Sequence, residues 1–300
     1  MFIAGDWGTT QLRLYLCDGA GVVDRVNGPG IGALSASPAS TFVSLTSRWA
    51  EEHKDLSAHL CGMVGSRNGW VETPYVRCPA DLSALRAGVI KLEAAGFRIS
   101  IVPGLSCKNP LGAPDVMRGE ETQIFGALAS APSIAQGRRL FALPGTHTKW
   151  AVVENGTIQH FLTSPTGELF ALLKDHSTLG RAGGDVTEHS PEGFLRGVTR
   201  QAEVGDASLT HVLFETRSRQ LLDGMTKSTA MSFLSGLLIG SDVAGASRWI
   251  DSKSSVTLIG DPKLNELYAR ALAFHGFETV SLTGEECALN GLRAIIEAEA

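Results

Sequence analysis

The sequence predicts an α/β protein built from two related domains, on three observations. A short apolar segment, a Gly-Thr turn and an alternating segment occur twice at one constant offset: Gly8 matches Gly145, Thr9 matches Thr146, Leu16 matches Val153 and Gly19 matches Gly156. Repetition of a whole supersecondary unit points to two structurally related halves. Strand-like segments of period two alternate with helix-like segments along the chain. The length, 300 residues with 43% hydrophobic content, suits two cores.

The elements follow in order. Met1 to Gly5 is apolar and short, the pattern of a buried strand. Leu12, Leu14 and Leu16 alternate with Arg13, Tyr15 and Cys17, the period of a half-buried strand. Asp18-Gly19 turns the chain into Val22-Val23. Ser37 to His53 predicts a helix with Pro38 in its first turn. Leu60 to Val64 and Ile99 to Pro103 predict buried strands, and Glu120 to Ala129 a helix. Ser130 to Arg139, carrying Pro132 and Gly137, predicts the crossing between domains, which are drawn as 1–132 and 133–300. Leu140 to Leu143 opens the second unit. Asn155-Gly156 predicts a tight hairpin between Trp150–Glu154 and Thr157–Leu162. Helices are predicted from Gly167 to about Gly245, then a strand over Val256–Gly260 and a helix over Lys263–His275. The apolar stretch Phe233 to Ala246 is too short to cross a bilayer.

Net charge is −5, with no Lys/Arg cluster, which disfavours a nucleic-acid surface. The five cysteines form no Cys-x-x-Cys pair and suit free thiols in a reducing cytoplasm. Asp6 and Arg13 interrupt any leader-like apolar run. The expected partners are small molecules, with neither nucleic acid nor membrane. Oligomeric state, a dimer included, is left open.

The two turns carry the first candidate chemistry. Glycine lets backbone approach a ligand, and successive N–H groups form an anion-binding concavity. Gly8, Thr9 and Thr10 in one turn and Gly145, Thr146 and His147 in the other are therefore candidates for gripping one polyphosphate. The plain alternative is two hairpin turns, but the duplication favours the phosphate reading. Asp6, ending the first strand, is a candidate Mg²⁺ ligand. Leu143 stands at the matching place in the second copy, so the metal is expected at the first turn. Lys149 is a candidate for neutralising charge on a transferred phosphoryl group, against a plain strand lysine. Glu120 and Glu121 open a helix, where acids suit the dipole. Either is a candidate general base, Glu121 slightly preferred, with Glu168 and Asp115 behind them. Ser66, Arg67, Asn68 and Trp70 lie in a Gly-rich loop and are candidates for an anionic, hydroxylated substrate, Arg suiting a carboxylate. Gly260 and Asp261 end the late strand and are candidates for the nucleoside. Gly236 and Gly240 either permit helix packing or let that helix approach the nucleotide.

These motifs together resemble a known group. Asp6-Trp7-Gly8-Thr9-Thr10, the second Gly-Thr turn and the late strand-Gly turn resemble the actin/hexokinase/heat-shock-protein-70 ATPase superfamily. Met117-Arg118-Gly119-Glu120-Glu121-Thr122-Gln123 and Pro144-Gly145-Thr146-His147-Thr148-Lys149-Trp150 resemble runs of the 2-dehydro-3-deoxygalactonokinase family. Gln11, and Ser164-Pro165 before Thr166-Gly167-Glu168, depart from that family's pattern. The acidic helix start also resembles that of exopolyphosphatases. The resemblance implies two ribonuclease-H-like (actin-like ATPase) domains with an inter-domain cleft. It also implies ATP and Mg²⁺ as cofactors, and transfer of the γ-phosphate to the 6-hydroxyl of 2-dehydro-3-deoxy-D-galactonate in D-galactonate catabolism. The competing readings are a phosphohydrolase of the exopolyphosphatase type and a non-catalytic nucleotide switch.

Overall fold

The computed structural model describes residues 1–94, 96–180, 189–205, 208–248 and 255–296. Strands β1 (Phe2–Trp7) and β2 (Gln11–Cys17) form the first hairpin, with Asp6 opposite Arg13. β3 (Val22–Pro29) continues the meander. Helix α1 (Pro38–Glu52) leads to β4 (Ser57–Gly62), which lies parallel to β1. Ser37 caps α1, its Oγ accepting from Ser40 N at 3.1 Å. There follow β5 (Tyr75–Arg77), α2 (Leu82–Ala87), β6 (Ile90–Ala94), β7 (Phe97–Ile101), β8 (Gly104–Lys108), β9 (Pro114–Met117) and α3 (Glu120–Ser130). The first sheet runs β3-β2-β1-β4-β7-β6, and β5-β8-β9 form a small second sheet.

The repeat is visible in the topology. β10 (Arg138–Leu143), β11 (Thr148–Glu154) and β12 (Thr157–Ser164) form another meander. Asn155 and Gly156 turn its second hairpin with φ of 49° and 77°, the left-handed pair expected of Asn-Gly. Among the described residues, four helices come next, α4 (Thr166–His176), α5 (Pro191–Val204), α6 (Leu209–Leu213) and α7 (Glu215–Leu222). They are followed by α8 (Lys227–Ser247), β13 (Val256–Gly260), α9 (Pro262–Phe274), β14 (Thr279–Thr283) and α10 (Gly284–Ile296). The sheet order is β12-β11-β10-β13-β14, and β10 pairs parallel with β13 as β1 does with β4. The α/β class and the duplicated meander thus agree with the sequence. Residues 181–188 and 206–207, inside the span expected to be helical, lie outside the described residues.

Two compact units emerge: Met1–Arg138 with Ala151–Phe161 and Thr283–Ala300, and Arg139–Trp150 with Leu162–Leu282. The division is discontinuous, whereas the sequence reading drew one cut at 132/133. The C-terminal helix is one reason. α10 packs on α3 so closely that a Cβ on Gly126 would lie 1.8 Å from Cys287 O, and one on Gly291 2.0 Å from Thr122 O. Such backbone approach requires glycine on both helices. In the first unit, Ile3, Leu12, Leu14, Leu60 and Ile99 from the sheet bury against Phe42 and Trp49 of α1. In the second, α8 is the central helix. At 21 residues it is longer than the apolar stretch read from sequence, and by length and composition alone it could cross a membrane. Most of it is buried, with Ala230, Phe233, Leu234 and Leu237 at 0% exposure, as a core helix requires.

Candidate active site

In the first unit, the turn after β1 is rigid. Its carbonyls are tied down: Gly32 N donates to Thr9 O at 2.9 Å, Gly30 N to Thr10 O at 3.2 Å and Ile31 N to Gly8 O at 3.0 Å. A Cβ at Gly30 would lie 2.3 Å from Thr9 O, so the buttress works only with glycine. Thr9 and Thr10 are exposed beside a partly buried Gly8. Asp6, just inside the turn, keeps 17% side-chain exposure and stands 3.6 Å from Arg13 Nη1. Burial pushes its carboxyl up to about 6, with Arg13 opposing and the neighbouring Glu120 adding. Arg13 was not singled out from the sequence. The signal was there, since the hairpin register sets it opposite Asp6.

Helix α3 starts against these residues because two glycines permit it. Gly62 and Gly119 have φ of 89° and 111°, and a Cβ on Gly119 would lie 3.2 Å from Gly62 Cα. One on Gly62 would lie 3.3 Å from Asp6 Oδ1. The two helix-start carboxylates differ sharply. Glu121 is 0% exposed, and both its oxygens accept from Gly119 N, at 2.9 and 2.8 Å; Oε1 also accepts from Thr122 Oγ1 at 3.1 Å. Burial, reinforced by Glu120, pushes its carboxyl up to about 8 against those hydrogen bonds. Glu120 is partly exposed, with Oε2 accepting from Arg118 N at 3.0 Å. A proton acceptor must reach its substrate, so this geometry reverses the preference for Glu121.

Among the described residues, no three His, Cys, Asp or Glu side chains converge as a metal cage. Mg²⁺ does not require one: it takes one or two carboxylates and completes its shell with water and phosphate oxygens. Asp6, whose charge is held back by burial and by Glu120, fits such an ion.

The Gly-rich loop is compact, with Trp70 N donating to Val64 O at 2.7 Å and Thr73 N to Gly65 O at 2.9 Å. Arg67 and Asn68 are exposed at its tip. Ser66 is 9% exposed, and its buried Oγ has no hydrogen-bond partner, so it is poised for one. Trp70 packs on Phe42, ring centroids 5.5 Å apart, against the core, and stays partly exposed in the loop. Arg118, part of the Met117–Gln123 run but given no role of its own from sequence, locks the loop. Its guanidinium lies over the Tyr75 ring at 4.3 Å and donates to Thr73 Oγ1 and, at 3.0 Å, to Thr73 O.

In the second unit, the turn Gly145–His147 rests on the start of α4. Glu168 N donates to Thr146 O at 3.0 Å, and a Cβ on Gly167 would lie 2.3 Å from Gly145 O. Thr146 and His147 are exposed, and nothing lies within 4 Å of where a Cβ on Gly145 would project. His147 Nε2 meets Glu168 Oε2 at 2.7 Å, which engages Glu168 with the turn. Lys149 is only 6% exposed, its Nζ donating to Thr163 Oγ1 at 3.1 Å, which holds it along the sheet and away from a turn-tip role.

Beside this turn a cavity of about 320 Å³ opens between α4, α8 and α9. Phe170, Met231, Leu238, Leu264 and Leu267 wall it, with Gly145 and Gly167 at one end. Such an apolar pocket with a few polar groups is the ordinary form of a small-molecule site. Gly260 adjoins the same turn, since its Cβ position is 3.2 Å from Pro144 O. Asp261 caps α9, Oδ1 accepting from Lys263 N at 2.9 Å, so its carboxylate is engaged by its own helix. Gly236 does not face the cavity as a nucleotide residue would. A Cβ there would lie 2.1 Å from Phe194 O of α5, so it serves the α5–α8 crossing and its assignment is corrected. No local sequence signal marks this cavity, because its walls come from three helices distant in the chain.

The sequence profile of the 2-keto-3-deoxy-galactonokinase family matches residues 6–295. The 2-dehydro-3-deoxygalactonokinase of Escherichia coli (strain K12) is 36% identical over 301 residues, covering 100% of this chain and 98% of the relative. A Sinorhizobium meliloti protein, whose crystal structure is described as a candidate 2-dehydro-3-deoxygalactonokinase, superposes with a TM-score of 0.89 at 32% identity. That match covers 100% of this chain and 99% of the other. The activator of 2-hydroxyisocaproyl-CoA dehydratase from Clostridium difficile shares the fold at 13% identity and a TM-score of 0.51, covering 99% and 95% of the two chains. The chain belongs to the 2-keto-3-deoxy-galactonokinase family and is an ATP-using carbohydrate kinase with the actin-like ATPase fold.

Proposed function

We propose that the chain transfers the γ-phosphate of ATP to the 6-hydroxyl of 2-dehydro-3-deoxy-D-galactonate, as a cytoplasmic step of D-galactonate catabolism. The observation that carries the chemistry is the placement of two carboxylates, Asp6 and Glu120, where β1 ends and α3 begins. Glu120 is the proposed base, since Glu121 is buried with both oxygens on Gly119 N. The Glu120 carboxylate takes the hydroxyl proton as that oxygen bonds to the γ-phosphorus and the bond to the ADP oxygen breaks. Asp6 would hold Mg²⁺, which supplies charge neutralisation on the phosphate oxygens. The turns Gly8–Thr10 and Gly145–His147 offer backbone and hydroxyl donors to the phosphates. The cavity walled by Phe170, Met231 and Leu264 receives the adenosine, with Gly260 at its turn. The C. difficile protein of similar fold was solved with bound ADPNP, which supports a nucleotide role for such a scaffold. Ser66, Arg67 and Asn68 are proposed to hold the sugar acid, Arg67 pairing with its carboxylate.

The test is to supply ATP and Mg²⁺ with 2-dehydro-3-deoxy-D-galactonate or its gluconate epimer, and to locate the new phosphate by NMR. ADP formation with the galactonate acid and phosphate on carbon 6 is expected, with a lower kcat/KM for the epimer. Phosphorylation elsewhere, or faster turnover of the epimer, overturns the assignment.

A further inference from the structure

Asp242, on α8, is a partly buried carboxylate for which the proposed reaction has no use. It accepts three side-chain hydrogen bonds: from Trp150 Nε1 at 2.9 Å, Thr166 Oγ1 at 2.8 Å and Tyr268 OH at 2.6 Å. The donors come from β11, the first residue of α4, and α9. Each hydroxyl has one proton, and the carboxylate fixes where it points. Because Tyr268 gives its proton to Asp242, the 2.8 Å contact with Thr148 Oγ1 is a bond that Thr148 donates. Thr166 Oγ1 and Ser164 Oγ also lie 2.7 Å apart.

This network grips both supports of the turn Gly145–His147. Thr148, the residue after the turn, is tied through Tyr268. Thr166 begins the helix on which the turn rests, where Gly167 meets Gly145 O and Glu168 N holds Thr146 O. Thr166 and Tyr268 also line the cavity. Taking a carboxylate even partly out of water is costly unless its hydrogen bonds are made, as they are here. Satisfied buried networks fix one geometry out of several.

We propose that Asp242 is a positioning residue that presets the Gly145–His147 turn for polyphosphate by orienting Thr166 and Tyr268. The inference rests on reading the adjoining cavity as the nucleotide site. Hydrogen bonds to charged groups are strong enough that losing their organisation costs on the order of tenfold or more in affinity.

Titration calorimetry with ADP on the purified protein tests it. Wild type is measured first, and failure to bind ADP removes the nucleotide reading itself. Given wild-type binding, Asp242→Asn should raise the ADP Kd about tenfold or more while leaving the KM for the sugar acid within about twofold. Tyr268→Phe keeps the ring but cuts the link to Thr148, and should raise Kd several-fold. Trp150→Phe drops a bond to the same carboxylate but keeps an aromatic ring beside Tyr268, whose centroid lies 6.2 Å from that of Trp150, and leaves the hydroxyl bonds of Thr166 and Tyr268 in place, so ADP affinity should stay unchanged. Wild-type affinity in folded Asp242→Asn overturns the proposal. If that variant does not fold, the other two decide: equal ADP affinities in Tyr268→Phe and Trp150→Phe overturn it.

Discussion

At the residue scale, three carboxylates of the first unit diverge because their surroundings do. Asp6→Asn preserves size but removes the charge proposed to hold Mg²⁺, so it should keep the fold and lose most of kcat; near wild-type kcat at saturating Mg²⁺ would reduce Asp6 to a turn residue. Glu120→Gln should lower kcat on the order of 10²–10⁴-fold with little change in KM, the range of general base catalysis. Glu121→Gln should act on stability instead. Burial pushes the Glu121 carboxyl from the ordinary 4.5 up to about 8 in the folded chain. Between those values the native state holds the extra proton, so stability falls as pH rises through that window. Asp6 adds a slope of the same sign between 3.8 and about 6. Urea unfolding at about pH 5 and about pH 8 should therefore show wild type losing more stability than Glu121→Gln. Equal losses would mean that Glu121 is ionised at neutral pH and would restore it as a base candidate. The sequence showed that acids open this helix but not which one is buried, because that depends on Gly62 and Gly119 letting α3 press against the sheet.

At the element scale, glycines divide into those that admit a ligand and those that admit another helix. Gly145, with open space where a Cβ would project, is proposed to be of the first kind. Gly145→Val should fold normally and lose ADP affinity; unchanged affinity in the folded variant would make the repeated turn architectural. Gly236 belongs to the second kind. Gly236→Ala forces a methyl onto Phe194 O and should lower stability by about 1–3 kcal/mol, the usual cost of overpacking, read as a lower urea midpoint. Its ADP affinity at low denaturant should stay at the wild-type value. A tenfold loss would return Gly236 to the nucleotide site. The turns, the Asn155-Gly156 hairpin and β13 were legible because their signals are local. The helix-walled cavity was not, since Phe170, Met231 and Leu264 become neighbours only through packing.

At the scale of the whole molecule, the repeated turn announced the repeated meander, and β3-β2-β1-β4 does recur as β12-β11-β10-β13. The return of α10 to α3 had no local signal, because Gly126 and Gly291 read as ordinary helical glycines until they are seen back to back. The same architecture raises the question of why phosphate should pass to a sugar hydroxyl and not to water. A base at Glu120 would serve either nucleophile, so the choice must lie with the loop proposed to bind the acceptor. ADP release with the sugar acid should exceed release without it by at least about 100-fold, a modest share of what fixed orientation can supply. Glu120→Gln should depress both rates in proportion. Arg67→Ala should depress the acceptor-dependent rate through a raised KM for the sugar acid, leaving the acceptor-free rate as it was. A coupled ADP assay with and without acceptor reads all six rates. Comparable wild-type rates in the two conditions would mark a phosphohydrolase, and an Arg67→Ala variant with unchanged KM would move the carboxylate site away from this loop.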